Sequence, residues 1–168
     1  MSVTVDYFFN YSADLFKLAG SINRCLGCEL SPYENDPENL FTHFLGMEFS
    51  LEAATDYVND RECNFENFAF HLDFRTTWGG SDSHPVQLPA MALVAYNLHR
   101  WLGITGILVF DMQVLLARYE EKEVPNFGLR LFDVLSGTPF VSFVAHLSQL
   151  QKRLPERWQD FYFDAPEP

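Results

Sequence analysis

Basic side chains are scarce in this chain: 11 lysines and arginines stand against 23 aspartates and glutamates, a formal net charge of −12 over 168 residues. That deficit disfavours direct nucleic-acid binding, which needs Lys and Arg to neutralise phosphates. Cysteine is scarce too. Three of them, an odd number, do not build a disulfide framework, and free thiols in a reducing compartment are the expectation. Long hydrophobic runs are absent: stretches such as 107–110 and 91–95 fall well short of the roughly 20 residues a membrane-spanning helix needs. The opening MSVTVDYFFNY has no basic region of the kind that begins a secretory signal. A cytoplasmic protein with no membrane partner is expected. The spacings GxGxxG, P-loop, HExxH and EF-hand do not occur, and no cofactor is expected.

Aromatic and acidic residues are what the chain has in abundance. With 48% hydrophobic residues, 17 Phe, 7 Tyr and 3 Trp, the charge sits on a packed globule rather than on a disordered acidic tail. One domain of this length buries about two-thirds of the surface its unfolded chain exposes. Residues 1–155 are expected to form that single domain, followed by an acidic, Pro-ended tail at 156–168 that frays. The acids are not spread evenly. Between Glu29 and Asp73 lie eleven carboxylates and one cation, Arg61, so this segment carries −10 of the total −12. Like charges repel and destabilise a compact state, and their concentration points to a cationic partner or to solubility.

Periodicity places the elements. Val3, Val5, Tyr7 and Phe9 alternate with polar or second-face residues and predict a first strand. Leu15, Leu18, Ala19, Ile22 and Leu26 predict a helix, with Ser12 as N-cap and Gly27 as its stop. Residues 29–39, with Pro32, Pro37 and four acids, read as an exposed loop. Leu45, Met47, Phe49 and Leu51 alternate with Glu48, Ser50 and Glu52; Phe68, Phe70, Leu72, Phe74, Thr76 and Trp78 alternate with His71, Asp73 and Arg75. These are two half-buried strands that pair antiparallel, each apolar on one side and polar on the other. The connection 53–67 is open between helix, turn and loop. An amphipathic helix from Pro89 to Leu102 stops at Gly103, and 104–110 is an interior strand buried on both faces. The stretch 111–122 fits either a helix capped by Asp111 or a strand. A weak strand at 129–135 and a last helix at 140–154 complete the pattern. The expected class is α+β, a mostly antiparallel sheet of four to five strands with helices packed on one face.

Candidate chemistry was weighed against its ordinary structural explanation. Cys25-Leu-Gly-Cys28 is a CxxC at a helix end, where no helix dipole activates a thiol, and Cys63 with scattered histidines does not complete a zinc set. Buried, inert thiols explain all three, and no metal is expected. Asp82-Ser83-His84 has triad residue types, yet neighbours in a Gly-rich loop do not reach triad geometry. His71, Asp73 and Arg75 share one strand face and form either an ordinary surface ion pair or the mouth of a site.

The runs FLGMEFSLEAATDYVND, FAFHLDFRTTWG and GILVFDMQVLLARYEE, within residues 40–135, resemble small acidic immunity proteins of bacterial toxin–immunity systems, those of contact-dependent growth inhibition among them. The resemblance implies a non-enzymatic inhibitor that covers the active site or substrate groove of a nuclease-type toxin. Nuclease toxins are basic, so a carboxylate-rich surface speeds encounter by electrostatic steering. The expected interface is Glu48, Glu52, Asp56, Tyr57, Asp60, Glu62, Glu66, His71, Asp73, Arg75 and Trp78, with Tyr57, Trp78 and also Tyr33 as anchors. Two other classes compete: a DNA-mimic antagonist of a DNA-binding protein, and a small-molecule binding or enzymatic domain with a Phe-lined cavity.

Overall fold

The computed structural model describes residues 4–44, 47–60, 63–75 and 84–120. The weak strand at 129–135, the last helix at 140–154 and the tail lie outside them, as do Glu62 and Trp78.

Strand β1 (Val5–Asn10) puts β-branched and aromatic residues where they pack best, in the pleat of an interior strand. Helix α1 (Leu15–Leu26) follows. Its N-cap is Asp14, not Ser12: the extended Asp14 backbone lets Oδ1 accept the Lys17 amide at 2.9 Å, while Ser12 lies one bend too early. Gly27, at φ 69°, ends it as expected. The residues read as a Pro-rich loop are instead strands β2 (Ser31–Tyr33) and β3 (Asp36–Phe44), joined by a two-residue turn. Proline is admitted because β2 is a sheet edge and Pro37 is the second residue of its strand, where missing ladder donors cost little.

Strands β4 (Met47–Ala53) and β5 (Phe70–Arg75) pair antiparallel, as their alternation predicts. Between them the chain is irregular apart from a 3-10 turn at Phe65–Asn67. Helix α2 (His84–Leu102) begins five residues before Pro89 and closes at Gly103, which has φ 65°. Strand β6 (Thr105–Phe110) then turns into β7 (Val114–Tyr119), so that within the stretch left open between helix and strand 114–119 is a strand, while 121–122 lie outside the described residues. Asp111 and Met112 both have positive φ, and the Gln113 amide bonds the Phe110 carbonyl at 3.1 Å, the geometry of a type I′ hairpin turn rather than of a helix cap.

All pairings are antiparallel, in the order β2-β3-β4-β5-β1-β6-β7. The class is α+β as expected, but the sheet has seven strands instead of four to five, because the prolines hid β2 and β3 and the hairpin hid β7. Two α-helices occur among the described residues.

Two buried clusters follow from the pleat, in which successive side chains point to opposite faces. The larger joins Val5, Tyr7, Phe9, Phe49, Leu51, Leu72 and Phe74 of the sheet to Leu18 and Ile22 of α1 and Met91, Val94 and Leu98 of α2. The smaller contains Phe8, Ile107 and Val109 of the sheet with Cys63 and Phe65 from the β4–β5 connection. Its edges are Tyr57, Phe68, Met112 and Leu115. Both faces of the β1–β6 pair are therefore covered.

Candidate functional site

The register of three neighbouring strands assembles a polar group on the second face. Across β4–β5, Glu48 stands opposite Arg75, Ser50 opposite Asp73 and Glu52 opposite His71. Across β1–β5, Asp6 stands opposite Asp73 and Phe8 opposite His71. Four of these are buried: Asp6, Ser50, His71 and Asp73 are each no more than 3% exposed. Two carboxylates facing each other in a dry interior are unfavourable unless cations and donors meet them.

Here they are met. His71 Nε2 lies 2.8 Å from Asp6 Oδ1, and the other Asp6 oxygen accepts the Thr4 hydroxyl at 2.6 Å. Asp73 accepts the Ser50 hydroxyl on one oxygen and Arg75 Nε, at 2.5 Å, on the other. On its far side His71 Nδ1 lies 3.0 Å from Glu52 Oε1 and 3.0 Å from the Tyr57 hydroxyl, which itself donates to Glu52 Oε1 at 2.8 Å. The second Glu52 oxygen takes Asn39 Nδ2 at 3.2 Å. Bonding to His71 holds the Glu52 carboxyl below its ordinary range, against the opposing pull of burial. The Phe8 ring stacks on the imidazole with centroids 4.6 Å apart, and Tyr57 and Phe65 pack on Phe8 at 4.8 and 4.6 Å.

Glu48 is also engaged. It accepts the Tyr33 hydroxyl at 2.6 Å, and Tyr33 stacks on Phe41 at 3.9 Å. Burial, and then the Glu48 carboxylate, push the Tyr33 hydroxyl up to about 12, so it remains a donor at neutral pH.

The acids thus fall into two sets. Glu48, Glu52 and Asp73, expected to present charge to a partner, are held by donors of the same chain. His71 and Asp73 do not reach the surface at all, a correction to their expected exposure: the β4–β5 connection covers the face that alternation alone leaves open. The other set opens on a cleft of about 480 Å3 lined by Asp36, Glu38, Asn39, Glu52, Ala53, Thr55, Asp56 and Tyr57. Asp36, Glu38 and Asp56 are exposed there, and among the described residues no lining side chain is basic. Val58, beside Asp56 and Tyr57, is 76% exposed.

Of the remaining interface candidates, Asp60 and Glu66 are exposed, Glu66 being tied to the Asn59 side chain at 3.1 Å, and the Arg75 side chain is about half exposed. His71, Asp73 and Arg75 do not line the cleft. Sequence reasoning placed Ser50 on the polar face but missed Asp6 and Asn39 as members of the polar group and Asp36 and Glu38 as cleft residues. A signal for the first existed: an interior strand at 104–110 buried on both faces requires a cover on the face that Asp6 and Phe8 share with it.

Cys25, Cys28 and Cys63 are not joined in disulfides, and burial pushes the Cys28 thiol up to about 12, far from nucleophilic. Among the described residues no three His, Cys, Asp or Glu side chains are placed to hold a metal ion, and no helix is long and apolar enough to cross a membrane. No family model, curated protein or solved structure matches the chain.

Proposed function

We propose that this chain is a non-enzymatic, cytoplasmic inhibitor that binds and neutralises a basic protein, specifically as the immunity partner of a bacterial nuclease-type toxin. One observation carries this reading: Asp36, Glu38 and Asp56 converge, exposed, on one cleft that has no basic side chain among its described lining residues. Charges fixed on β3 and beside the end of β4 cost little to order on binding, unlike charges on a free loop. Helices packed on one face of the sheet, as this reading has them, would leave the cleft at the β3–β4 side to a partner.

A nuclease groove is lined by Lys and Arg because it holds phosphate, so a concave acidic surface complements it and competes with substrate. Steering raises the encounter rate, and apolar anchors such as Tyr57 and the exposed Val58 supply the desolvated contacts that slow dissociation. No cofactor takes part in such blocking.

The test is genetic and biochemical together. The product of the reading frame immediately upstream, expressed in bacteria, should arrest growth; co-expression of this chain should restore it, and the two proteins should co-purify. Growth arrest that persists beside abundant folded protein, or no physical complex, would overturn the reading.

A further inference from the structure

We propose that His71 is a permanently charged imidazolium, and that this buried cation positions the wall of the cleft by pinning Glu52 and Tyr57 to the sheet. The proposal concerns the free protein and stands apart from the inhibitor reading.

The geometry discriminates between protonation states. Both ring nitrogens lie within 3.0 Å of carboxylate oxygens, Nε2 against Asp6 and Nδ1 against Glu52. Ionised carboxylates only accept, so each nitrogen needs a proton of its own. A neutral ring with its proton on Nε2 would turn the Nδ1 lone pair toward Glu52 Oε1. Tyr57 does not relieve that clash. Its single hydroxyl proton lies within reach of both Nδ1 and Glu52, at 3.0 and 2.8 Å, and serves only one of them. With a proton on each nitrogen every group is satisfied: Nε2–H donates to Asp6, Nδ1–H is shared by Glu52 Oε1 and the Tyr57 oxygen, and Tyr57 donates to Glu52.

Charge balance points the same way. The groups facing His71 are Asp6 from β1, Glu52 from β4, Asp73 on its own strand and Tyr57 from the β4–β5 connection, with the Phe8 ring against its face. Among the described residues those ionisable groups are acids, and the cation on the same strand face, Arg75, is bound to Asp73 rather than to His71. Burial by itself lowers an imidazole, but the bonds to Asp6 and Glu52 outweigh it and raise His71 to about 9. Since this lies above the ordinary 6.5, the stabilisation is complete below 6.5 and is lost as pH climbs through about 9.

The consequence reaches the cleft through one residue. Tyr57 lines the cleft, lies between Asp56 and Val58 in sequence, and bonds the sheet through Glu52 and His71. Loss of the cation leaves Asp6 and Glu52 as buried or half-buried anions around a neutral ring, and the connection loses the anchor that joins it to β4 and β5.

The experiment uses the full chain labelled with 15N-histidine. Two-bond 1H–15N spectra should show His71 with both nitrogens protonated from pH 6 to 8 and titrating near pH 9. Exchange of the Ala54 and Asp60 amides, which bond the Ala69 and Cys63 carbonyls at 2.9 and 3.0 Å, should accelerate above that pH. In His71→Gln, a neutral donor, their exchange should be roughly tenfold faster at neutral pH, with the β6–β7 amides unchanged. A neutral His71 ring at pH 7, or exchange at Ala54 and Asp60 that ignores both pH 9 and His71→Gln, would overturn the proposal; if the variant does not fold, the wild-type titration and exchange decide it.

Discussion

The two faces of this sheet are built from the same alternation and solve opposite problems. On one face Tyr7, Phe49, Leu51, Leu72 and Phe74 meet only apolar side chains, and stability follows from area: a fully buried Leu or Phe contributes about 1.5–3 kcal/mol over an exposed one. On the other face Asp6, Ser50, His71 and Asp73 are as dry, and they are held by hydrogen bonds to one another and to Thr4, Glu52, Tyr57 and Arg75. Packing on the first face tolerates partial loss. The second is a closed set in which each member satisfies another, so removal of one strands its neighbours. The contrast also separates two kinds of acid, those consumed inside the fold and those left to the cleft.

The first face should respond most strongly. Phe49→Ala is expected to cost about 3–5 kcal/mol, because Phe49 is wholly buried and stacked 4.8 Å from Phe74, and a cavity adds to the lost transfer energy. Urea denaturation reads it directly. On the second face Asp73→Ala should cost roughly 2–3 kcal/mol, less than Phe49→Ala, since its half-exposed partner Arg75 regains water while Ser50 loses its acceptor. A loss equal to that of an exposed acid, within about 0.5 kcal/mol, would mean that the second face is hydrated in solution and that the contrast is false.

Much of the first face was legible in the residues. Alternation of Met47, Phe49 and Leu51 and of Phe70, Leu72 and Phe74 placed two strands and their antiparallel pairing, and helical spacing with Gly27 and Gly103 placed two helix ends. Edge elements were not legible. Pro32 and Pro37 break strands in general; the edge position of β2, a property of the whole sheet, admits the first, and a place at the start of β3 admits the second. Asp111 reads as a cap because its residue type suits both a helix start and a turn with positive φ.

The site was legible in composition and not in geometry. Glu48, Glu52, His71, Asp73 and Arg75 were rightly placed on one face, since period-two spacing demands it. Only His71 and Asp73 among them are buried, and the cover over His71 comes from Tyr57 and Phe65 in the β4–β5 connection, whose path carries no periodic signal. Asp6 was overlooked for the related reason that its partner, His71, is 65 positions away and is met only through the β1–β5 register. Long-range pairing of this kind is decided by strand order, which local pattern does not reveal.

The most direct test of the division between consumed and presented acids is the rate at which the proposed partner, the product of the reading frame immediately upstream, associates with two variants, followed by stopped flow across a range of salt. Asp36→Asn, Glu38→Gln and Asp56→Asn together should leave the fold intact, slow association about tenfold at low salt and flatten its salt dependence, while Glu48→Gln should change the rate little. Association that is indifferent to the three cleft substitutions, or that falls instead with Glu48→Gln, would contradict the account.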